Sequence, residues 1–208
     1  MSNNRDYYNG LIKDIKIVAY SRFNKVRRLK RNNYLGLVSI SALSISIIVL
    51  SIIEKIYQIN RVSLIPFTNL NIDIWTFSIL SSIIILSISI ALSTMKIEIE
   101  IDKLNKSAVK LNEISREIEF KIQHNQYNIE ELLKEYNKTI SADLINHDEI
   151  DHKINKYLIN KTEGKFNLLK YYFRYYIYQN KTSIFFLIII SLSALSFISI
   201  LTQVITTC

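Results

Sequence analysis

The residues of this chain that could do chemistry are few: three histidines, one cysteine and a large set of serines. His147, Asp148, Asp151 and His152 crowd one short segment and would offer nitrogen and oxygen donors to a divalent cation, yet their spacing matches no standard ligand pattern. They read as surface or helix-capping residues. Cys208 is the last residue and the only cysteine, which excludes an intrachain disulfide and a cysteine-based metal site. Prenylation would need three residues after it. Three glycines in 208 residues exclude the glycine-rich phosphate loops, and no nucleophile elbow or pair of catalytic acids is present. The expectation is therefore no enzyme and no cofactor.

The serines carry a pattern. Ser78, Ser82, Ser89 and Ser93 are separated by four, seven and four residues, which on a helix turning ~100° per residue places them within about 60° of one another. Such a stripe has two uses. Small residues let helix backbones approach and hydroxyls bond across them, for roughly 0.6 kcal/mol each; alternatively, several copies assembled around an axis would present a hydroxyl-lined conduit. Among the other serines, Gly36, Ser39 and Ser46 share one helical face and Ser41, Ser44 and Ser51 another, while those after residue 182 look scattered.

The elements that position these serines are apolar segments. Leu35 to Ile53 and Ile74 to Met95 run 19 and 22 residues without a charge, and Ser183 to Ile205 runs 23. At ~1.5 Å per residue, about 20 residues cross a hydrocarbon core of ~30 Å. All three segments suffice. The reading is an all-α membrane protein: a transmembrane hairpin over 35–95, with spans at 35–53 and 74–95, a cytoplasmic helical region over 96–182, and a third transmembrane helix over 183–205. No ionisable side chain lies inside a span, which argues against a coupled pump or secondary transporter. The first apolar run follows 34 strongly charged residues, so no cleavable signal peptide is expected.

Charge gives an orientation. The net charge is +8, and residues 1–34 hold nine Lys/Arg against two acids, whereas the connector 54–73 is neutral. Lys/Arg excess beside a span marks the cytoplasmic side. The arm and the middle region are thus expected in the cytoplasm, with the connector and C-terminus outside, in a bacterial inner membrane. A low glycine count with abundant Ile, Asn, Lys and Ser fits an AT-rich bacterial coding sequence. The basic arm also suits anionic lipid headgroups. Nucleic-acid binding is the other use of such a patch, but topology explains the charge without it.

The soluble parts are periodic. In the arm 1–34, Leu11, Ile15, Val18, Ala19, Phe23, Val26 and Leu29 recur at helical steps, predicting a basic amphipathic helix that lies on the membrane or packs on other helices. Ile97, Ile101, Leu104, Ala108, Leu111, Ile118 and Ile122 alternate by four and three, with Ser115 filling one register position. This seam requires a partner helix from the same chain or another subunit. Because no Gly or Pro intervenes from Trp75 to Gln123, the second span is expected to run straight into it, although the Ile97 to Ile101 alternation could instead start a strand. Further helices are predicted at Ile129 to Ile140 and from Asn146, where Asn146 and Glu149 have capping-box spacing. Pro66 breaks the connector and Gly164 punctuates the chain before the aromatic stretch Phe166 to Tyr178, an interfacial belt.

Together these pieces resemble a known family. The basic helix with Arg22-Phe23 and Arg28-Leu29, the serine-rich hairpin, the Ala91-Leu92-Ser93 exit, and Asn146-His147 with Asp151 are similar to the SLATT domains, the SMODS- and SLOG-associating two-transmembrane effectors of bacterial conflict systems. The resemblance covers roughly residues 5–160, and the third span fits versions with an added C-terminal helix. It implies an antiphage effector that a nucleotidyltransferase or reverse transcriptase partner activates, and that assembles as a homo-oligomer into a pore in the lipid bilayer. In that picture the Ile97 to Ile122 seam would be the oligomerisation or signal-receiving element. The alternative is an anchor that recruits a soluble signalling partner without a pore.

Overall fold

A computed structural model describes residues 2–63, 71–124, 126, 128–142, 149–160 and 165–207. Six helices follow in order: α1 (Ser2–Tyr57), α2 (Ile74–Thr94), α3 (Ile97–Gln123), α4 (Glu130–Ala142), α5 (Glu149–Asn160) and α6 (Lys165–Thr207). Two three-residue strands, β1 (Arg61–Ser63) and β2 (Asn71–Asp73), join α1 to α2. The fold is that of an all-α membrane protein, with three helices carrying stretches long and apolar enough to cross a bilayer. Pro66, Asn146, His147, Asp148, Gly164 and Cys208 lie outside the described residues, as do the side chains of Tyr171, Tyr172 and Tyr175.

The chain divides into two compact units. Unit 1 comprises Met1–Lys30 and Ile97–Gln179, and unit 2 comprises Arg31–Lys96 and Asn180–Cys208. The arm and the first span form one helix of 56 residues, and the aromatic stretch and the third span form another of 43. No proline falls in either helix, so nothing in the backbone interrupts them.

Unit 1 packs its apolar side chains inward. Ile12, Ile15 and Ala19 of α1 bury against Leu111, Ile114, Ile118 and Ile122 of α3 and Leu132 of α4, with Tyr136 and Ile140 packed on the cluster. α1 and α3 run in opposite senses, since Lys16 meets Glu119 at 2.5 Å and Lys25 meets Glu100 at 3.0 Å. Lys110 on α3 pairs with Glu135 on α4 at 2.7 Å, and that hydrogen bond raises the lysine's pKa. Acidic residues open the helices (Glu98 and Glu100 in α3, Glu130 and Glu131 in α4), where the helix dipole favours them.

Unit 2 is turned inside out. Its buried positions include Ser39, Ser46, Ser81, Ser183, Ser193, Ser196 and Ser199, while Ile45, Ile48, Ile83, Leu86, Ile90, Phe185, Leu187 and Ile188 are exposed. An apolar surface of this extent on three helices belongs in lipid. Two apolar layers lie inside. One gathers Leu43, Ile88, Phe186 and Ile189 with Leu35 and Leu92 beside them; the other gathers Leu50, Val62, Ile74, Phe77 and Ile200. At Gly36 an added Cβ would stand 3.0 Å from Leu92 Cδ1 and 3.3 Å from Phe186 Cζ, so the missing side chain is what lets these helices close up.

One expectation is corrected. The second span does not run straight into the seam helix: α2 ends at Thr94, and Lys96 takes φ 43° before α3 begins at Ile97. The Thr94 hydroxyl bonds back to the carbonyls of Ile90 and Ala91, competing with the helix backbone there. The described ends of the connector are strands. β1 and β2 pair antiparallel with Arg61 opposite Asp73, and those side chains bond at 3.1 Å. Gln58, at φ 55°, turns the chain out of α1 toward this hairpin. The Ile97 to Ile101 alternation lies in helix, not strand.

The core of unit 1 makes a quantitative prediction. Leu111→Ala should cost about 2–5 kcal/mol, whereas Val109→Ala, on the exposed side of the same helix, should stay within about 0.5 kcal/mol. Denaturant unfolding of the detergent-solubilised protein, followed by circular dichroism, checks the contrast.

Candidate functional site

Three groups of residues carry the site expectations, and the structure treats each differently. The seam is the simplest case. Leu104, Ala108, Leu111 and Ile118 are fully buried, Ile97 and Ile122 nearly so, and Ile101 half-buried. Their partners come from the same chain: Leu111, Ile118 and Ile122 pack with α1 and α4. In a single chain these three side chains are thus spent on an internal core, the same-chain partner being one of the two that the periodicity allowed.

The serine stripe of α2 lies along one edge of that helix's packed face. Ile74, Phe77, Ser81 and Ile88 are the buried positions; Ser78 and Ser89 are half-buried, and Ser82 and Ser93 are exposed. The Ser78 hydroxyl donates to Ile74 O at 2.9 Å and Ser82 to Ser78 O at 2.8 Å. Each of these two donors is thus satisfied within its own helix. None of the four is a deep packing residue in a single chain.

Interhelical hydroxyl bonding occurs elsewhere, between α1 and α6. Ser46 and Ser193 share a hydrogen bond at 2.5 Å, Ser193 also donates to Ala42 O at 3.1 Å, and Ser39 donates to Phe186 O at 3.3 Å. Ser183 donates to Asn32 Oδ1 at 2.8 Å. The third span's serines are therefore not scattered in effect. Ser183, Ser193 and Ser196 fall on the face that also buries Phe186, Ile189 and Ile200, a spacing of three and four that the surrounding isoleucines hid. On α1 the Gly36, Ser39 and Ser46 face is buried, whereas Ser41 and Ser51 are exposed.

Two of the five family-motif candidates, Arg28 and Asp151, meet in a buried polar joint in unit 1. Arg28 Nη1 on α1 donates to both carboxylate oxygens of Asp151 on α5, at 3.2 and 3.0 Å, across 123 residues of sequence. Asp151 is fully buried and Arg28 is 8% exposed. The guanidinium also lies 5.2 Å from the centroid of the Tyr178 ring on α6. Asn155, one turn beyond Asp151, donates to Asp151 O at 2.8 Å and to Ser21 Oγ at 3.2 Å, and Ser21 donates to Ile17 O at 2.6 Å. Sequence reasoning missed Ser21, Asn155 and Tyr178. The signal for the first two was present, since Ser21 and Arg28 are seven apart on α1, and Asp151 and Asn155 four apart on α5.

Arg22 is also buried, but it lies near α4. Burial pushes the Tyr136 phenol above its ordinary pKa, Asp14 adds to the rise, and Arg22 opposes it. Asn146 and His147, the other motif candidates, lie outside the described residues. Both oxygens of Asp151 are occupied by Arg28, and among the described residues no group of three or more His, Cys, Asp or Glu side chains is placed to hold a metal ion.

A buried ion pair is costly to break, because the surviving partner is left charged and dry. Asp151→Leu should lower stability by about 3–5 kcal/mol, and the double variant Arg28→Met with Asp151→Leu should recover most of the loss. Unfolding of the four members of this double-mutant cycle in detergent measures the coupling; a coupling near zero would mean the pair is solvated.

The arrangement holds no reaction centre among the described residues. What it offers is a lipid-facing unit with an uncovered hydroxyl edge, and a soluble unit closed by an ionic joint. Comparison with known proteins agrees with the membrane part. No curated protein and no solved structure matches the chain. Over residues 4–203 it matches the SMODS and SLOG-associating 2TM effector domain family 5, and it belongs to that family.

Proposed function

We propose that this chain is the pore-forming effector of a bacterial antiphage system, in which a partner activates it to disrupt the membrane and kill or arrest the cell. The observation that carries the reading is the uncovered edge of α2. Ser82 and Ser93 are exposed beside half-buried Ser78 and Ser89, four serines along one side of one span. Several copies arranged with α2 toward an axis would line that axis with hydroxyls. In one chain, the Ser78 and Ser82 donors are satisfied within α2 itself. The same hydroxyls keep free lone pairs to offer water after assembly.

Membership of an effector-domain family supports the reading, as does the family's association with SMODS and SLOG partners. A nucleotidyltransferase or reverse transcriptase is the partner the resemblance implies, with no direct role for nucleic acid. The orientation that goes with it places the N-terminus and unit 1 in the cytoplasm and the C-terminus outside the inner membrane. Because the α3 seam is filled internally, homo-oligomerisation falls to the lipid-facing surfaces of unit 2. A pore would dissipate a potential worth ~2.3 kcal/mol per charge per 100 mV. The second reading is an anchor that recruits a soluble signalling partner, and the self-contained core of unit 1 favours it.

Co-expression with the products of flanking genes, under a trigger that fully activates them, separates the two. A pore depolarises the cells, read by a potential-sensitive dye, and Ser82→Leu changes the conductance severalfold while the protein accumulates normally. Intact potential under full activation overturns the pore. Under the anchor reading, Ser82→Leu leaves protection unchanged.

A further inference from the structure

The charges of unit 2 are sorted by end. Gly36, Leu92 and Phe186 meet in one layer, with an added Cβ at Gly36 standing 3.0 to 3.3 Å from the other two. Four or five residues outward along each helix from that layer stand Arg31 on α1, Lys96 after α2, and Lys181 on α6. At ~1.5 Å per residue, all three reach roughly the same depth, about 6–8 Å beyond the layer. Lys96 and Lys181 are exposed; Arg31 is half-buried with contacts of its own and adds to the local charge. Tyr34, 67% exposed, lies at the same end.

The other end differs. Among the described residues of unit 2 the acids are Glu54 and Asp73, both beside the layer of Leu50, Val62 and Ile74, where Lys55 and Arg61 balance them and Asp73 bonds Arg61. One rim thus carries a cation on each of three helices and no acid of its own unit, and the opposite rim is neutral.

We infer that the Arg31, Lys96 and Lys181 rim binds the headgroups of anionic phospholipids, so that the protein takes up a shell of them at one end of its spans. Charge complementarity and depth identify the occupant. Cations just outside an apolar, lipid-covered surface stand where phosphodiester groups lie, and an amphipathic Tyr ring prefers that same level. Lys96 contributes from a turn rather than a helix, so its side chain leaves α2 at the point where the apolar surface ends. This inference does not depend on pore formation and would hold equally for an anchor.

The test uses the full-length protein in a neutral detergent. Its unfolding temperature is followed as phosphatidylglycerol, phosphatidylcholine of the same chains, or inorganic phosphate is added. Phosphatidylglycerol should raise it and phosphatidylcholine should not, with the shift shrinking at high salt. A lysine near an anionic surface is worth about fivefold in affinity, so Lys96→Gln with Lys181→Gln should weaken the apparent affinity by roughly 20-fold. Lys96→Arg with Lys181→Arg should retain it, as should Lys55→Gln with Arg61→Gln at the opposite rim. Equal shifts from both lipids, an undiminished shift in the double Gln variant, or a full shift from inorganic phosphate alone would each overturn the inference.

Discussion

A hydroxyl placed in hydrocarbon must find its hydrogen bond within the protein, and the architecture of unit 2 follows from that requirement. Its serines meet it in two ways. Ser46, Ser183 and Ser193 bond across helices, so each joins α1 to α6 while it is buried, and Ser39 shares its proton between Leu35 O of its own helix at 2.8 Å and Phe186 O at 3.3 Å. Ser41, Ser51, Ser78, Ser82 and Ser87 return to a carbonyl of their own helix and remain outside the packed faces. In lipid there is no hydrophobic gain from bringing two apolar helices together, so small side chains and hydroxyl bonds supply the specificity. That is why serines stand among the buried positions of this unit, between the layers of Leu43 and Leu50, and why isoleucine covers its outside.

Unit 1 obeys the opposite rule. Ile15, Ala19, Leu111 and Ile118 are withdrawn from water, and the exposed positions of α3 include Lys103, Lys106, Glu113 and Glu117. Within it α5 is held differently from α4. The α4 side chains Leu132, Leu133, Tyr136 and Ile140 join the apolar cluster, whereas the buried face of α5 presents Asp151, Ile154 and Asn155. An apolar face tolerates small slips in register, but the buried Arg28–Asp151 pair does not, because a slip would pull Nη1 away from the carboxylate and leave both charges dry. The pair therefore fixes where α5 sits on α1. It also makes α5 the helix whose attachment depends most on a few polar groups.

Much of this was legible in the residue order. Uncharged runs of about 20 residues can be spans, and the split of α1 serines into a Gly36, Ser39, Ser46 face and a Ser41, Ser44, Ser51 face follows from spacing alone, with Ser44 half-buried and the other two exposed. Three features were not. The α6 serines are diluted by isoleucines of equal hydropathy weight, so no period shows until a partner face defines one. The break at Met95–Lys96 involves no Gly or Pro, and a lysine at positive φ leaves no trace in sequence. The seam's periodicity revealed that α3 had a partner but could not say which, since α1 of the same chain and a second copy would satisfy the same pattern.

That break bears on which span can move. α1 and α6 are tied together inside unit 2 by the hydroxyl bonds of Ser39, Ser46, Ser183 and Ser193. α2 ends at the boundary, and its buried positions are three apolar side chains and Ser81. Sliding or rotating a helix held by dispersion exchanges one set of apolar neighbours for lipid of similar character, at little cost, whereas separating α1 from α6 would strip hydroxyls of their partners in hydrocarbon. The resistance to rearrangement within the membrane is accordingly lowest at α2, the helix that carries the uncovered serine edge. The third span, through Ser193 and Phe186, is what makes the first one rigid enough for that difference to exist.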